Sequence, residues 1–213
     1  MQTSDFLKVF KDKYFDELNS CENRDRGSGF FAIFSELFLS KQEDFRIIET
    51  GAMRPGYTMS GDGCSTRLFD LLINMCGGEL VSIDIDTDTV SYANKNTSNK
   101  TSVYCLDSVD FLWNNIDVVS RADLIYLDSF DVIFHQPVLA NLHHMKELCC
   151  IAPVVKSGAI IAIDDCKFEI GDKRVPTGVD YREVGKGVFV DTFMENIGAK
   201  RIYDGYQSVW QIN

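Results

Sequence analysis

Five short, β-branched stretches of this 213-residue chain end in acid: RIIE at Glu49, VSID at Asp84, YCLD at Asp107, IYLD at Asp128, and IAIDD at Asp164 and Asp165. In an open parallel sheet, ligands bind beyond the carboxyl ends of the strands, so carboxylates at those ends are placed to meet one. They oppose a pyrophosphate and attract an ammonium, a sulfonium or a metal ion. Any single strand-ending acid is equally well explained as the cap of the next helix. Five in succession favour a shared ligand.

The spacing around these acids narrows the chemistry. Gly51 and Gly63 let backbone approach a ligand closely, and Ser65 or Thr66 stands where the next helix begins and can cap it. Eleven residues, 52–62, separate the two glycine sites and read as a flap. Asp84 lies about 20 residues past that helix start, the position from which a carboxylate accepts ribose hydroxyls; Asp86 is its neighbouring candidate. Asp107 and Ser108 stand where an adenine edge would lie, although Ser108 also suits a helix cap. A nucleoside bearing an ammonium and a sulfonium, S-adenosylmethionine, suits Glu49 better than a dinucleotide does. Asp128, Asp164 and Asp165, brought close together, repel one another unless they are protonated, spread apart or neutralised by a cation. Hard oxygen donors of this kind favour Mg²⁺ or Ca²⁺.

The elements that must position these residues alternate. Strand-like runs at 45–50, 79–86, 101–106, 122–128 and 158–164 are interleaved with helical periods at 65–75, 87–97, 108–116 and 135–150. This predicts a doubly wound α/β fold: a mostly parallel, seven-stranded Rossmann-like sheet, with 200–205 and 207–212 adding an antiparallel C-terminal hairpin. Two N-terminal helices, 5–19 and 30–39, precede it. One domain is expected, divided into a helical cap (1–44), a cofactor-binding core (45–165), a lid loop (166–186), and a terminal helix and hairpin (187–213). The lid carries Lys173, Arg174, Arg182 and Lys186, a basic excess that suits either an anionic substrate or a solvated loop. The aromatic N-terminal helices suit a substrate roof, a homodimer interface or plain core, and their spacing leaves all three open.

A formal charge of −11, from 21 basic and 32 acidic residues, argues against nucleic acid or an acidic membrane as partner. The start of the chain lacks the pattern of a secretory signal, and no apolar run reaches a membrane span, so a cytoplasmic protein is expected. Seven cysteines without a C-x-x-C pair fit reduced thiols, and three histidines without matching spacing leave no zinc pattern.

The ordered set IIETGA, GDGCST, VSIDID, CLDSVDFL, LIYLDS and GAIIAIDDC, followed by RIYDGYQSVWQI, resembles the class I S-adenosylmethionine-dependent methyltransferases. Within that class it resembles the metal-dependent O-methyltransferases of the catechol and macrocin type. The resemblance covers residues 45–213. It implies that Glu49, Gly51, Gly63, Asp84 and Ser108 contact the cofactor, and that Asp128, Asp164 and Asp165 hold a divalent cation such as Mg²⁺. Ser65, Thr66, Asp107 and Asp128 join the expected cofactor site. The implied reaction is metal-assisted O-methylation of a hydroxylated small molecule. Asp131 stands where the catechol enzymes carry a lysine base; His135, seven residues after Asp128, is the substitute base expected from its titration near neutrality. His143 and His144 read as packing or surface residues. The alternatives are a dinucleotide-dependent oxidoreductase, which calls for a compact G-x-G-x-x-G that this chain lacks, and a binding module without catalysis.

Overall fold

The β-branched runs become strands β1 (Phe45–Thr50), β2 (Gly78–Asp84), β3 (Thr101–Cys105), β4 (Leu124–Leu127) and β5 (Ile160–Ile163) in the computed structural model, which describes residues 3–20, 25–59, 64–168, 175 and 184–213. These five strands pair in parallel. β6 (Lys200–Asp204) and β7 (Ser208–Gln211) form the expected hairpin, and β7 joins β5 antiparallel, giving the order β3-β2-β1-β4-β5-β7-β6. Strand order reverses between β1 and β4, so the ligand crevice is expected above that junction. Register supplies the alignment: Thr50 sits opposite Ile83 and Leu127, and Leu127 opposite Ile163. The residues that follow each strand therefore emerge along one rim.

Side-chain alternation divides the core between the two faces of the sheet. Leu124 and Tyr126 of β4, with Ile160 and Ala162 of β5, face one cluster; Ile125, Leu127, Ile161 and Ile163 face the other. The first cluster is covered by α1 (Thr3–Phe10), which runs through a π-helical turn (Lys11–Phe15) into α2 (Asp16–Asn19), by α3 (Arg26–Ser40) and by α4 (Ser65–Cys76). α5 (Thr87–Asn96) packs beside β2 and β3. The second cluster includes residues of α6 (Ser108–Asn114), α7 (Ile116–Val119), α8 (Val138–Ile151) and α9 (Val188–Asn196). Aromatic rings join the N-terminal helices to the sheet: Phe30 stacks on Phe34 at 5.9 Å and on Tyr126 at 5.5 Å, and Phe69 meets all three edge-on. Phe6, Phe10, Phe30 and Phe34 are thus core residues.

The strands expected at 79–86, 122–128 and 158–164 end or begin up to two residues away, and three helices depart from expectation. α3 begins at Arg26 rather than at Phe30, and glycines allow it: a Cβ on Gly29 would lie 1.9 Å from Gln207 Oε1, and one on Gly27 would lie 2.5 Å from the Phe15 carbonyl. The helix expected over 108–116 is broken at Asn115 into α6 and α7. α8 starts at Val138 because Pro137, which lacks an N–H, occupies its boundary. Gly63, Lys173, Arg174 and Arg182 lie outside the described residues. Among the described residues no two cysteines form a disulfide, and no helix is long and apolar enough to cross a membrane.

Phe34 is fully buried among Phe6, Phe10, Phe30 and Phe69, whereas Leu39 of the same helix is 79% exposed. Phe34→Ala is expected to lower stability in urea denaturation by about 3–5 kcal/mol, and Leu39→Ala to change it by less than about 0.5 kcal/mol.

Candidate functional site

The turn after β1 is built on Glu49. Its fully buried Oε2 accepts hydrogen bonds from the hydroxyls of Thr66 and Ser82, both at 2.7 Å, while Thr66 Oγ1 accepts from the Met53 N–H at 2.9 Å. Thr66 therefore ties α4 to the strand end and to the following segment. Neither Thr66 nor Ser65 caps α4: the cap position belongs to Cys64, in a left-handed conformation with φ 44°. Glu49 Oε1 is buried and has no hydrogen-bond partner among the described residues. Burial raises the Glu49 carboxyl from 4.5 to about 7, against the lowering effect of the hydroxyls of Ser65, Thr66 and Ser82. Gly51 then turns with φ 86°, and a Cβ there would stand 2.4 Å from the Asp128 carbonyl oxygen, so this position demands glycine twice over.

Asp84 ends β2, half-buried. Its Oδ2 accepts from the Ala52 N–H and its Oδ1 from the Asp86 N–H, each at 2.9 Å, so it braces the turn after β1 and its own. Asp86 caps α5 by accepting from the Thr89 N–H. Asp84 lines a cavity of about 240 Å³ together with Ile85, Leu106, Asp107, Ser108 and His143. Ile85 and Leu106 are 73% and 47% exposed, an apolar pair suited to the faces of a flat ring. Asp107 caps α6 through the Asp110 N–H, and Ser108 Oγ lies 3.1 Å from His143 Nε2. His143, expected as a packing or surface residue, thus reaches the ligand side. Beneath it, buried Glu147 accepts from Ser129 Oγ; burial opposes its ionisation, but His143 and His144 outweigh burial and hold its carboxyl at about 2.

A second cavity, of about 210 Å³, shares Gly51 with the first and opens toward Asp128 and Asp165. Of the residues 52–62 expected as a flap, 60–62 lie outside the described residues and 52–59 supply part of its wall, with Ala52 and Met53 buried and Arg54 paired to Asp131 at 3.0 Å. Phe134, Phe168 and Tyr206 add an aromatic side, with ring centroids 5.2 and 5.7 Å apart along that series. His135, the expected base, is exposed in the turn before Pro137 and lines neither cavity; Phe134 takes the wall position instead.

The structure gathers Asp128, Asp164 and Asp165 as expected and supplies them with two cations that the sequence reading did not assign to the site. Arg26 Nη2 lies 3.0 Å from Asp164 Oδ2 and 3.6 Å from Asp165 Oδ1. Lys186 Nζ lies 3.1 Å from Asp165 Oδ2 and also bonds Asp128 Oδ1, and the Tyr206 hydroxyl donates to Asp165 Oδ1. Arg26 and Lys186 are buried, at 4% and 0% exposure. Burial disfavours the charge on Asp165, but Lys186 and Arg26 outweigh it and hold the carboxyl below its usual range. Lys186, expected on a solvated or substrate-gripping lid, is instead buried within this cluster. Glycines place both cations. Arg26 precedes Gly27 and Gly29 at the start of α3, and Lys186 sits between Gly185 and Gly187, where added Cβ atoms would meet the Cys166 carbonyl oxygen at 1.7 Å and its Sγ at 2.6 Å. A basic residue flanked by glycines was the available signal. Among the described residues, no group of three or more His, Cys, Asp or Glu side chains has the geometry to hold a metal ion. Ammonium and guanidinium groups pair with Asp164 Oδ2, Asp128 Oδ1 and both Asp165 oxygens, and among the described residues only the buried Asp164 Oδ1 of the Asp164–Asp165 pair has no hydrogen-bond partner, so this set does not fit the expected Mg²⁺.

Because the folded Glu49 carboxyl titrates above its ordinary value, its contribution to stability is present below about pH 4.5 and is lost as pH rises to about 7. Across that interval the wild type is expected to lose roughly 3 kcal/mol relative to Glu49→Gln, read from urea denaturation at each pH.

No protein-family model and no curated protein matches this sequence. Solved structures do. MycE, a methyltransferase from the mycinamycin biosynthetic pathway solved with Mg and SAH, aligns with a TM-score of 0.57 at 12% identity, over 87% of this chain and 48% of its own. CalS11, a calicheamicin methyltransferase, aligns at 0.54 and 10% identity, over 98% and 90%. The CMeT domain of the citrinin polyketide synthase aligns at 0.53 and 11% identity, over 85% and 50%. This chain thus spans about half the length of the MycE and CMeT chains. At these identities the likeness establishes the architecture alone: the chain has a Rossmann-like methyltransferase fold.

Proposed function

We propose that the protein is an S-adenosylmethionine-dependent methyltransferase acting on a hydroxyl of a small molecule. The observation that carries this reading is the acid-rimmed cleft at the β1–β4 junction, with Asp84 and the exposed Ile85–Leu106 pair on one side and Asp128 on the other. S-adenosylhomocysteine bound in MycE, on the same fold, supports it.

The chain's residues fit such a cofactor. Each Asp84 oxygen already accepts one backbone N–H and retains a lone pair for a ribose hydroxyl. Ile85 and Leu106 would sandwich the adenine, with Asp107, Ser108 and His143 at its edge. Gly51 lines both cavities, so a methionine chain passing from one to the other would run along its backbone. Glu49 acts from below: its buried carboxyl holds Thr66 and, through it, the Met53 backbone, so it shapes the pocket and adds negative potential under a cationic ligand. The cofactor would supply a methyl group made electrophilic by its sulfonium. Asp128, half-buried on the wall of the second cavity, would accept the hydrogen bond of the substrate hydroxyl, aim its oxygen along the line of transfer and take its proton as that oxygen gains the methyl group. Phe134, Phe168 and Tyr206 would hold the substrate's apolar body and exclude water.

Calorimetry with S-adenosylhomocysteine tests the reading. Wild type is expected to bind and Asp84→Asn to bind about 10- to 100-fold more weakly, with no heat from NAD. Absence of S-adenosylhomocysteine binding, or an Asp84→Asn affinity equal to wild type, would sink it. Mass spectrometry of hydroxylated metabolites incubated with S-adenosylmethionine is expected to show a methylated product.

A further inference from the structure

We propose that Arg26 and Lys186 are the resident counter-ions of the Asp128–Asp164–Asp165 cluster, standing where a divalent cation would otherwise stand, so that this centre takes no Mg²⁺ or Ca²⁺ and positions its acceptor without one. The inference uses the cleft of the methyltransferase reading for its location and rests on that reading only for the word acceptor.

Occupancy carries the argument. Asp165 Oδ1 receives the Tyr206 hydroxyl and faces Arg26, and its Oδ2 faces Lys186 Nζ at 3.1 Å. Asp128 Oδ1 bonds the same ammonium, and Asp164 Oδ2 bonds Arg26 at 3.0 Å. Lys186 Nζ is thus shared by Asp128 and Asp165, and Arg26 reaches both members of the Asp164–Asp165 pair. A divalent ion bound by these oxygens needs distances of about 2.0–2.6 Å, hence the volume the ammonium fills, and it would face that ammonium's charge across a few ångströms. Lys186 has no easy retreat. Its side chain is 0% exposed, its N–H donates to the Asp165 carbonyl at 2.9 Å, and Gly185 and Gly187 bed its backbone against Cys166. Arg26 is held from another direction by the first turn of α3 and by the Tyr206 ring, 4.8 Å below its guanidinium carbon. Two side chains from distant parts of the sequence therefore offset two of the three negative charges that the adjacent acids create.

Lys186 also acts as a positioning residue, because it holds Asp128 and Asp165 in one arrangement at the wall of the second cavity. A merely space-filling lysine would leave metal affinity unchanged when replaced.

Electron paramagnetic resonance titration of the full chain with Mn²⁺, with and without S-adenosylhomocysteine, provides the test, alongside thermal unfolding in EDTA and in Mg²⁺. Wild type is expected to leave Mn²⁺ free and to unfold at one Tm in both media. Lys186→Met is expected to lower Tm by roughly 10 °C, to acquire Mn²⁺ binding and to regain Tm when the ion is added; Lys186→Arg is expected to stay blind to metal. Stoichiometric Mn²⁺ binding by wild type that Asp164→Asn removes overturns the proposal, as does a Lys186→Met protein with wild-type Tm and no Mn²⁺ affinity. Should Lys186→Met fail to fold, the wild-type titration decides alone. Failure of the methyltransferase reading appears instead as missing S-adenosylhomocysteine binding and leaves the Mn²⁺ result standing.

Discussion

Holding three neighbouring carboxylates together, Asp164 buried and Asp128 and Asp165 half-buried, is the constraint to which the rest of this molecule answers. Asp128, Asp164 and Asp165 lie at the ends of adjacent parallel strands because register puts them there, and an uncompensated cluster of this kind would be strongly destabilising. Arg26 and Lys186 make the arrangement tenable. Their contacts also join parts of the chain that hydrophobic packing alone would leave free to slide: the start of α3, the segment before α9, and the carboxyl ends of β4 and β5.

Glycine makes those contacts reachable. A side chain on Gly29 would collide with Gln207, whose amide nitrogen donates to the Tyr126 hydroxyl in the core, and would push α3 off the terminal hairpin. On the other side, Gly185 and Gly187 let the backbone lie directly on Cys166. In both places the absence of a Cβ brings a long basic side chain inward, so that most of its stem is buried with its charge.

The two cavities differ in the chemistry of their walls. One is bounded by exposed aliphatics and by acids whose oxygens already brace backbone turns, which suits a flat, hydroxylated nucleoside. The other combines aromatic rings with a charged margin, Arg54 with Asp131 and Arg26 with Asp165, which suits a guest with both an apolar body and polar groups. Gly51 belongs to both, and its positive φ and contact with Asp128 make it the backbone joint between them.

The alternation of strand and helix, the doubly wound sheet, the terminal hairpin and the gathering of Glu49, Asp84, Asp128 and Asp164 at strand ends were legible in the sequence. These are consequences of short-range periodicity, and a parallel sheet delivers every strand end to the same edge. Thr66 was noticed but given the wrong task, since a hydroxyl at a helix start suits a cap until the buried Glu49 beside it offers a stronger partner. His135 was chosen for its nearness along the chain, and one turn of backbone carried it to solvent. What answers the acids was decided only by the tertiary structure. Arg26 is 138 residues from Asp164 and Lys186 is 58 from Asp128, and each looked like part of a polar loop. A strand-ending carboxylate is a local property of sequence, whereas the counter-charge for a buried one is whatever the folded chain brings within a few ångströms, and that depends on packing among segments no local pattern connects.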